Sequence, residues 1–230
     1  MFRITAVAVA GALVMGSTAA AQSVGDVAAY VALSLTPVGA LPVMARATMF
    51  DAGPAPASFN ARYGAQDELH TFGVGGDFRA GGSARAAVSL GYLTCDGCDG
   101  VLMLGADYIT PVLRSAVGAG TTPATFTVSL NPSLGYARPT DGELSALAAN
   151  VGVPVAVAMG GAGARVAAFI SPGLGFGLLS GAGESESGMR PMLGGGIGVR
   201  LGQVTISGSA QKIFIDGGET QFGFRVAMGR

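Results

Sequence analysis

Apolar and polar residues alternate with period two along most of this chain. In 151–159, Val151, Val153, Val155, Val157 and Met159 share one parity, against Gly152, Pro154, Ala156 and Ala158 on the other. Along 125–136, Phe126, Val128, Leu130, Leu134 and Tyr136 alternate with Thr125, Thr127, Ser129, Asn131, Ser133 and Gly135, and Phe222, Phe224, Val226 and Met228 repeat the pattern near the end. Such alternation marks strands with two unlike faces. Followed along the chain it predicts ten: 57–64, 70–79, 84–94, 101–109, 124–138, 149–159, 164–179, 189–201, 203–214 and 219–229. Most approach the about 9–11 residues that a tilted membrane strand needs. Turn chemistry separates them, as in Ala80-Gly81-Gly82-Ser83, Gly160-Gly161-Ala162-Gly163 and Asp216-Gly217-Gly218.

Two uncharged stretches, Leu144–Ala164 and Val166–Gly183, have the length of membrane helices. The first contains Gly152, Pro154, Gly160 and Gly161, and the second contains Pro172 and a series of glycines. Glycine and proline are poor helix-interior residues. Only Arg165 separates the two stretches, which leaves no turn between helices.

Composition points to a membrane. Only 12% of the chain is charged, against about 25% in soluble domains, too little to clothe a water-facing surface. At the start stand Arg3, an apolar run from Ile4 to Met15 and the small residues Ala19-Ala20-Ala21, the layout of a cleaved secretory signal peptide. We therefore expect residues 1–21 to be a signal peptide, 22–56 an N-terminal segment and 57–230 a β-barrel. Residues 22–56 leave a plug, a periplasmic segment or two extra strands open.

Charges inside the predicted strands test the barrel. Arg62, Asp77, Arg79, Arg85, Asp107, Arg165, Arg200 and Arg225 all fall on the small or polar parity, which faces the lumen. Lys212 is the exception, near a strand end where its head can reach the interface. A charge facing lipid at mid-depth costs about 2–4 kcal/mol, so inward charges are what a barrel in lipid requires.

With its signal-peptide layout, alternating strands over 57–230 and hairpins such as VSLGYLTCDGCDGVLMLGADY, the chain resembles the outer-membrane β-barrel domain family of small bacterial barrels. That resemblance implies an all-β, antiparallel up-and-down transmembrane barrel in the bacterial outer membrane, with about ten strands and eight or twelve as alternatives. The chain departs from the family in ending Val-Ala-Met-Gly-Arg, without a terminal aromatic, and in lacking Trp, so that Tyr and Phe must form the interfacial girdles.

Ten strands place both termini on the periplasmic side. The outer connections and their edges then hold Asp67, Glu68, Asp96, Asp99, Asp141, Glu143, Glu184, Glu186, Asp216 and Glu219, ten of the 14 acids, and the opposite connections hold none. An acidic outer rim of this kind would hold divalent cations that bridge lipopolysaccharide phosphates, since calcium prefers oxygen ligands; exposed hairpin tips that simply favour Asp and Glu are the simpler reading. Both cysteines, Cys95 and Cys98, fall in the second outer loop, where an exported chain forms a local disulfide. With Asp96 and Asp99 they make only half of a metal site.

Little catalytic chemistry accompanies this pattern. His70 is the one histidine; a hydrolase would pair it with a serine and an acid, and no G-x-S-x-G occurs. GVGGD at 73–77 and GGGIGVR at 194–200 open no predicted helix and lack the P-loop lysine. The expected function is a non-enzymatic outer-membrane barrel without a cofactor, structural or a narrow anion-favouring pore. It is expected to be monomeric, to meet outer-membrane lipid and lipopolysaccharide, and not to bind nucleic acid, since the chain is not basic. An outer-membrane lipid hydrolase and a secreted barrel binding an apolar ligand are the alternatives.

Overall fold

The computed structural model describes residues 24–40, 57–94, 100–117, 124–140, 142, 144–161 and 163–229. Two helical segments come first, α1 (Val24–Leu35) and the single turn α2 (Pro37–Ala40). Eleven strand segments follow: β1 (Ala57–Gln66), β2 (Leu69–Gly81), β3 (Ala84–Thr94), β4 (Val101–Val117), β5 (Ala124–Pro139), β6 (Ser145–Gly152), β7 (Val155–Gly160), β8 (Ala164–Gly181), β9 (Glu184–Leu201), β10 (Val204–Ile213) and β11 (Thr220–Gly229).

These segments make ten staves, because β6 and β7 are one strand interrupted at Val153-Pro154, and both lie between β5 and β8. Proline has no N–H to give to the ladder. The gap is bridged on both sides, where Ser129 N–H donates to the Pro154 carbonyl at 2.9 Å and Val153 N–H to the Pro172 carbonyl at 2.8 Å. Neighbouring staves pair antiparallel in sequence order, and β1 pairs with β11 from Ser58↔Gly229 to Ala65↔Phe222. That last pairing closes the sheet into a ten-stranded up-and-down barrel, which removes every edge.

All ten predicted strands are present, several longer than the alternation suggests. β4 runs on to Val117 through a bulge between Pro111 and Leu113, and β9 begins at Glu184, so Glu184 and Glu186 belong to a strand. At one end of the barrel, the acidic end, the connections include the two-residue turns Asp67-Glu68 and Ala182-Gly183. At the other, the terminal end, β1 begins and β11 finishes.

Burial follows parity. Thr127, Ser129, Asn131, Ser133 and Ala137 are buried in the lumen, while Leu130, Leu134 and Tyr136 are exposed on the outside of the same strand. The outer face is a continuous apolar band, with Val74, Val88, Leu104, Val151, Ile170, Ile197 and Val226 all exposed. Tyr63, Phe72, Tyr92, Tyr136 and Phe222 lie outward near the acidic end, amphipathic or aromatic side chains suited to an interface. Among the described residues no helix is long and apolar enough to cross a membrane.

Residues 24–40 are helical and occupy the lumen. α1 packs against the inner faces of β6, β8 and β9, with Ala28, Ala29, Ala32, Leu33 and Leu35 buried. A 12-residue helix is marginal alone in water, and α1 is buried from Ala28 to Leu35 except at Val31, so its seat in the barrel stabilises it. Pro37 ends α1, since proline cannot continue a helix, and Thr36 Oγ1 donates to the free Leu33 carbonyl at 3.3 Å.

Candidate functional site

Among the described residues the buried polar side chains gather in the lumen, which divides into three levels. At the acidic end α1 and α2 fill it. Glycines on the wall let the helix approach closely: a Cβ on Gly177 would lie 2.5 Å from the Ala29 carbonyl oxygen, and one on Gly188 would meet the Gly25 backbone. Apolar side chains complete the seat, with Ala32 and Leu35 against Leu93, Met103 and Ala146, and Leu33 and Val38 against Met192 and Ile213. Polar tethers fix its orientation. Arg190 forms an ion pair with Asp26; Gln66 Nε2 donates to Tyr30 Oη at 2.7 Å, Glu219 N–H to the same oxygen at 3.3 Å, and Gln211 Nε2 to the Val38 carbonyl at 3.2 Å.

Midway down, Asp77 gathers a buried cluster. Arg225 Nη2 lies 2.5 Å from Asp77 Oδ2, and Ser58 and Asn60 donate to that oxygen at 2.9 and 3.3 Å. Arg62 sits directly opposite Arg225 across the β1–β11 pair and donates through Nε to Asn60 Oδ1 at 2.7 Å. Opposed guanidinium groups repel, so the Asp77 carboxylate and its amide neighbours make this level stable.

At the terminal end arginines predominate. Arg79 faces Arg85 across β2–β3, and Arg165 faces Arg200 across β8–β9. Arg165 Nη2 also donates to Thr125 Oγ1 at 3.0 Å. Asp107 points inward from β4, half-buried and level with Ser133.

Three further arginines escape the alternation argument. Arg190 faces inward and holds the helix; its parity with Arg200 would have found it. Arg114 turns inward only because the β4 bulge changes the parity, pairing it with the buried Thr127. Arg138 faces outward at the last rung of β5 beside Pro139, so Lys212 is not alone as a lipid-side cation; Lys212 itself is exposed one residue from the end of β10.

Around the acidic rim Asp67, Glu68, Glu184, Glu186 and Asp216 are exposed and Glu219 is half-buried. Burial first, and then the Asp67 charge, raise the Glu219 carboxyl above the ordinary glutamate range. Cys95, Asp96, Cys98, Asp99, Asp141 and Glu143 lie outside the described residues, as does the expected signal peptide. Among the described residues no three of His, Cys, Asp and Glu converge as a metal site would need. His70 stands on the outer face, where its Nδ1 shares a 2.7 Å hydrogen bond with Tyr63 Oη under a stacked ring contact. Neither a serine nor a carboxylate is bonded to it among the described residues.

Solved structures similar to this chain are outer-membrane barrels. The outer membrane enzyme PagL is 13% identical with a TM-score of 0.40, the match covering 75% of this chain and 99% of that one. LpxR from Salmonella typhimurium is 8% identical at a TM-score of 0.42, covering 75% and 100%. The N-terminal β-barrel domain of Pseudomonas aeruginosa OprF is 12% identical at 0.32, covering 76% and 96%. No family model and no curated protein matches the chain.

Proposed function

We propose that this chain is a non-enzymatic outer-membrane barrel closed by its own N-terminal helix. The observation that carries the reading is α1, seated inside the lumen on Gly177 and Gly188 and tethered by Arg190 and Gln66. A continuous apolar band outside and charged clusters inside suit a barrel in lipid. Below the helix the Asp77 cluster and Phe169, whose ring approaches Gly196 from the neighbouring strand, fill the next level. In this reading the barrel is a stable scaffold that presents acidic connections on the cell surface and conducts only if the helix leaves. After removal of residues 1–21 the mature chain starts just before α1, which leaves the helix free to enter the barrel. Cys95 and Cys98 staple the second outer connection, and the acidic rim binds divalent cations beside lipopolysaccharide.

The test is reconstitution. The folded, heat-modifiable protein in liposomes should exclude small sugars and anions in a swelling assay. Rapid swelling at the rate of an open pore would refute the closed lumen. Calcium that left the thermal stability unchanged in lipopolysaccharide-containing bilayers would count against the rim.

A further inference from the structure

The direction of α1 inside the lumen fixes which way the chain passes through the barrel. Val24 is 69% exposed and Gly25, Asp26 and Val27 are half-buried, whereas Ala28 to Leu35 are buried except at Val31, and Thr36 and Val38 follow at 0% and 2% exposure. The segment thus starts at a mouth and ends inside. Its contacts identify the mouth. On β9, Glu184 to Ser187 are exposed on both faces, so the first residues of that strand stand clear of the rim at the acidic end. Gly25 meets Gly188, the next inward position, and Asp26 pairs with Arg190, the one after it. Leu33 then shares the wall with Met192, both crowding the place of a Cβ on Gly175, at 2.8 and 2.5 Å. From Gly25 to Leu33 the helix therefore descends along β9, away from the acidic turn.

β1 begins with Ala57 at the opposite, terminal end, and its pairing with β11 closes the wall, so no sheet edge opens sideways. Between Val24 and Ala57 the chain crosses the barrel, from the acidic mouth to the terminal end. We propose that the barrel carries its own N-terminal end across the outer membrane and displays at the cell surface the peptide that precedes Val24. The proposal rests on the closed-lumen reading with the acidic end outward, and goes beyond it. A plug that entered from the terminal end would have the opposite order of burial, with Val24 deepest. Composition suits the passage: Asp26 is the single charged residue from Val24 to Ala45, and a charge taken out of water is costly unless paired. Arg190 supplies that pair at the mouth.

The test is surface labelling. Single-cysteine variants of the full chain, with Cys95 and Cys98 replaced by serine, are treated on intact cells with a maleimide carrying a polymer too large for porins, and again after the outer membrane is permeabilised. Val24→Cys, and Glu184→Cys at the start of β9, should label fully on intact cells, and Gln203→Cys, in the β9–β10 turn at the terminal end, only after permeabilisation. As a second readout, an epitope inserted between Ser23 and Val24 should bind antibody on intact cells; heat-modifiable migration confirms that each variant is folded. Val24→Cys and the epitope both hidden while Glu184→Cys labels would overturn the crossing. Glu184→Cys hidden with Gln203→Cys labelled would reverse the barrel and overturn display at the surface. Conductance separates this failure from that of the closed lumen: a hidden N-terminal end in a silent barrel defeats the crossing alone, and the same result in a conducting barrel defeats both.

Discussion

Ala182 has φ +52° in the two-residue turn between β8 and β9, followed by Gly183 at φ +86°. Both positions are left-handed, the geometry that favours Asn-Gly in hairpins, and alanine is strained there by roughly 1 kcal/mol. Ala182→Gly and Ala182→Asn should therefore raise stability to urea unfolding by about that much. The reverse holds at Asp77: Asp77→Ala leaves Arg62 and Arg225 facing each other in the lumen, and breaking such a buried pair costs about 3–5 kcal/mol. The same unfolding measurement should show that loss. Glu219 gives a pH signature. Its folded pKa is raised, so its contribution is fully present below the ordinary glutamate pKa of about 4.3 and is lost as pH rises through the raised value. Glu219→Gln should remove that decline and be more stable than wild type at neutral pH, as read from melting midpoints across pH 4–8.

Between elements, the decisive contact is α1 against glycines of the wall. Replacing Gly177 by Leu places a side chain where the Ala29 backbone lies, while every outward residue stays the same. Gly177→Leu should keep the heat-modifiable barrel and expel the helix, exposing the 24–40 segment to protease. Strand membership was legible because a misplaced charge in lipid costs kilocalories, which forces Arg62, Arg165 and Arg225 onto one parity. The helix was not legible. Its residues after Asp26 are almost all apolar, and the partners that accommodate it, Gly175, Gly177 and Gly188, read in sequence only as small lumen residues. Arg114 was hidden for a related reason: Pro111 looks like a strand end, whereas the chain bulges there and continues, which shifts the parity.

For the whole molecule, ten staves followed from the alternation, and the acids on alternate connections gave the barrel its orientation. The described structure places Asp67, Glu184, Asp216 and Glu219 at one end and the inward Arg79, Arg85, Arg114, Arg165 and Arg200 at the other, a charge polarity along the barrel axis that pattern alone gave only in part. What a count of strands cannot convey is the state of the lumen, because an open and a filled ten-stranded barrel share the same alternation. That state is the central claim, and single-channel recording of the full chain in a planar bilayer tests it most directly, with Gly177→Leu recorded beside it. The account predicts a silent wild type and a steady, anion-favouring current from the variant; steady ohmic current from the folded wild type would contradict it.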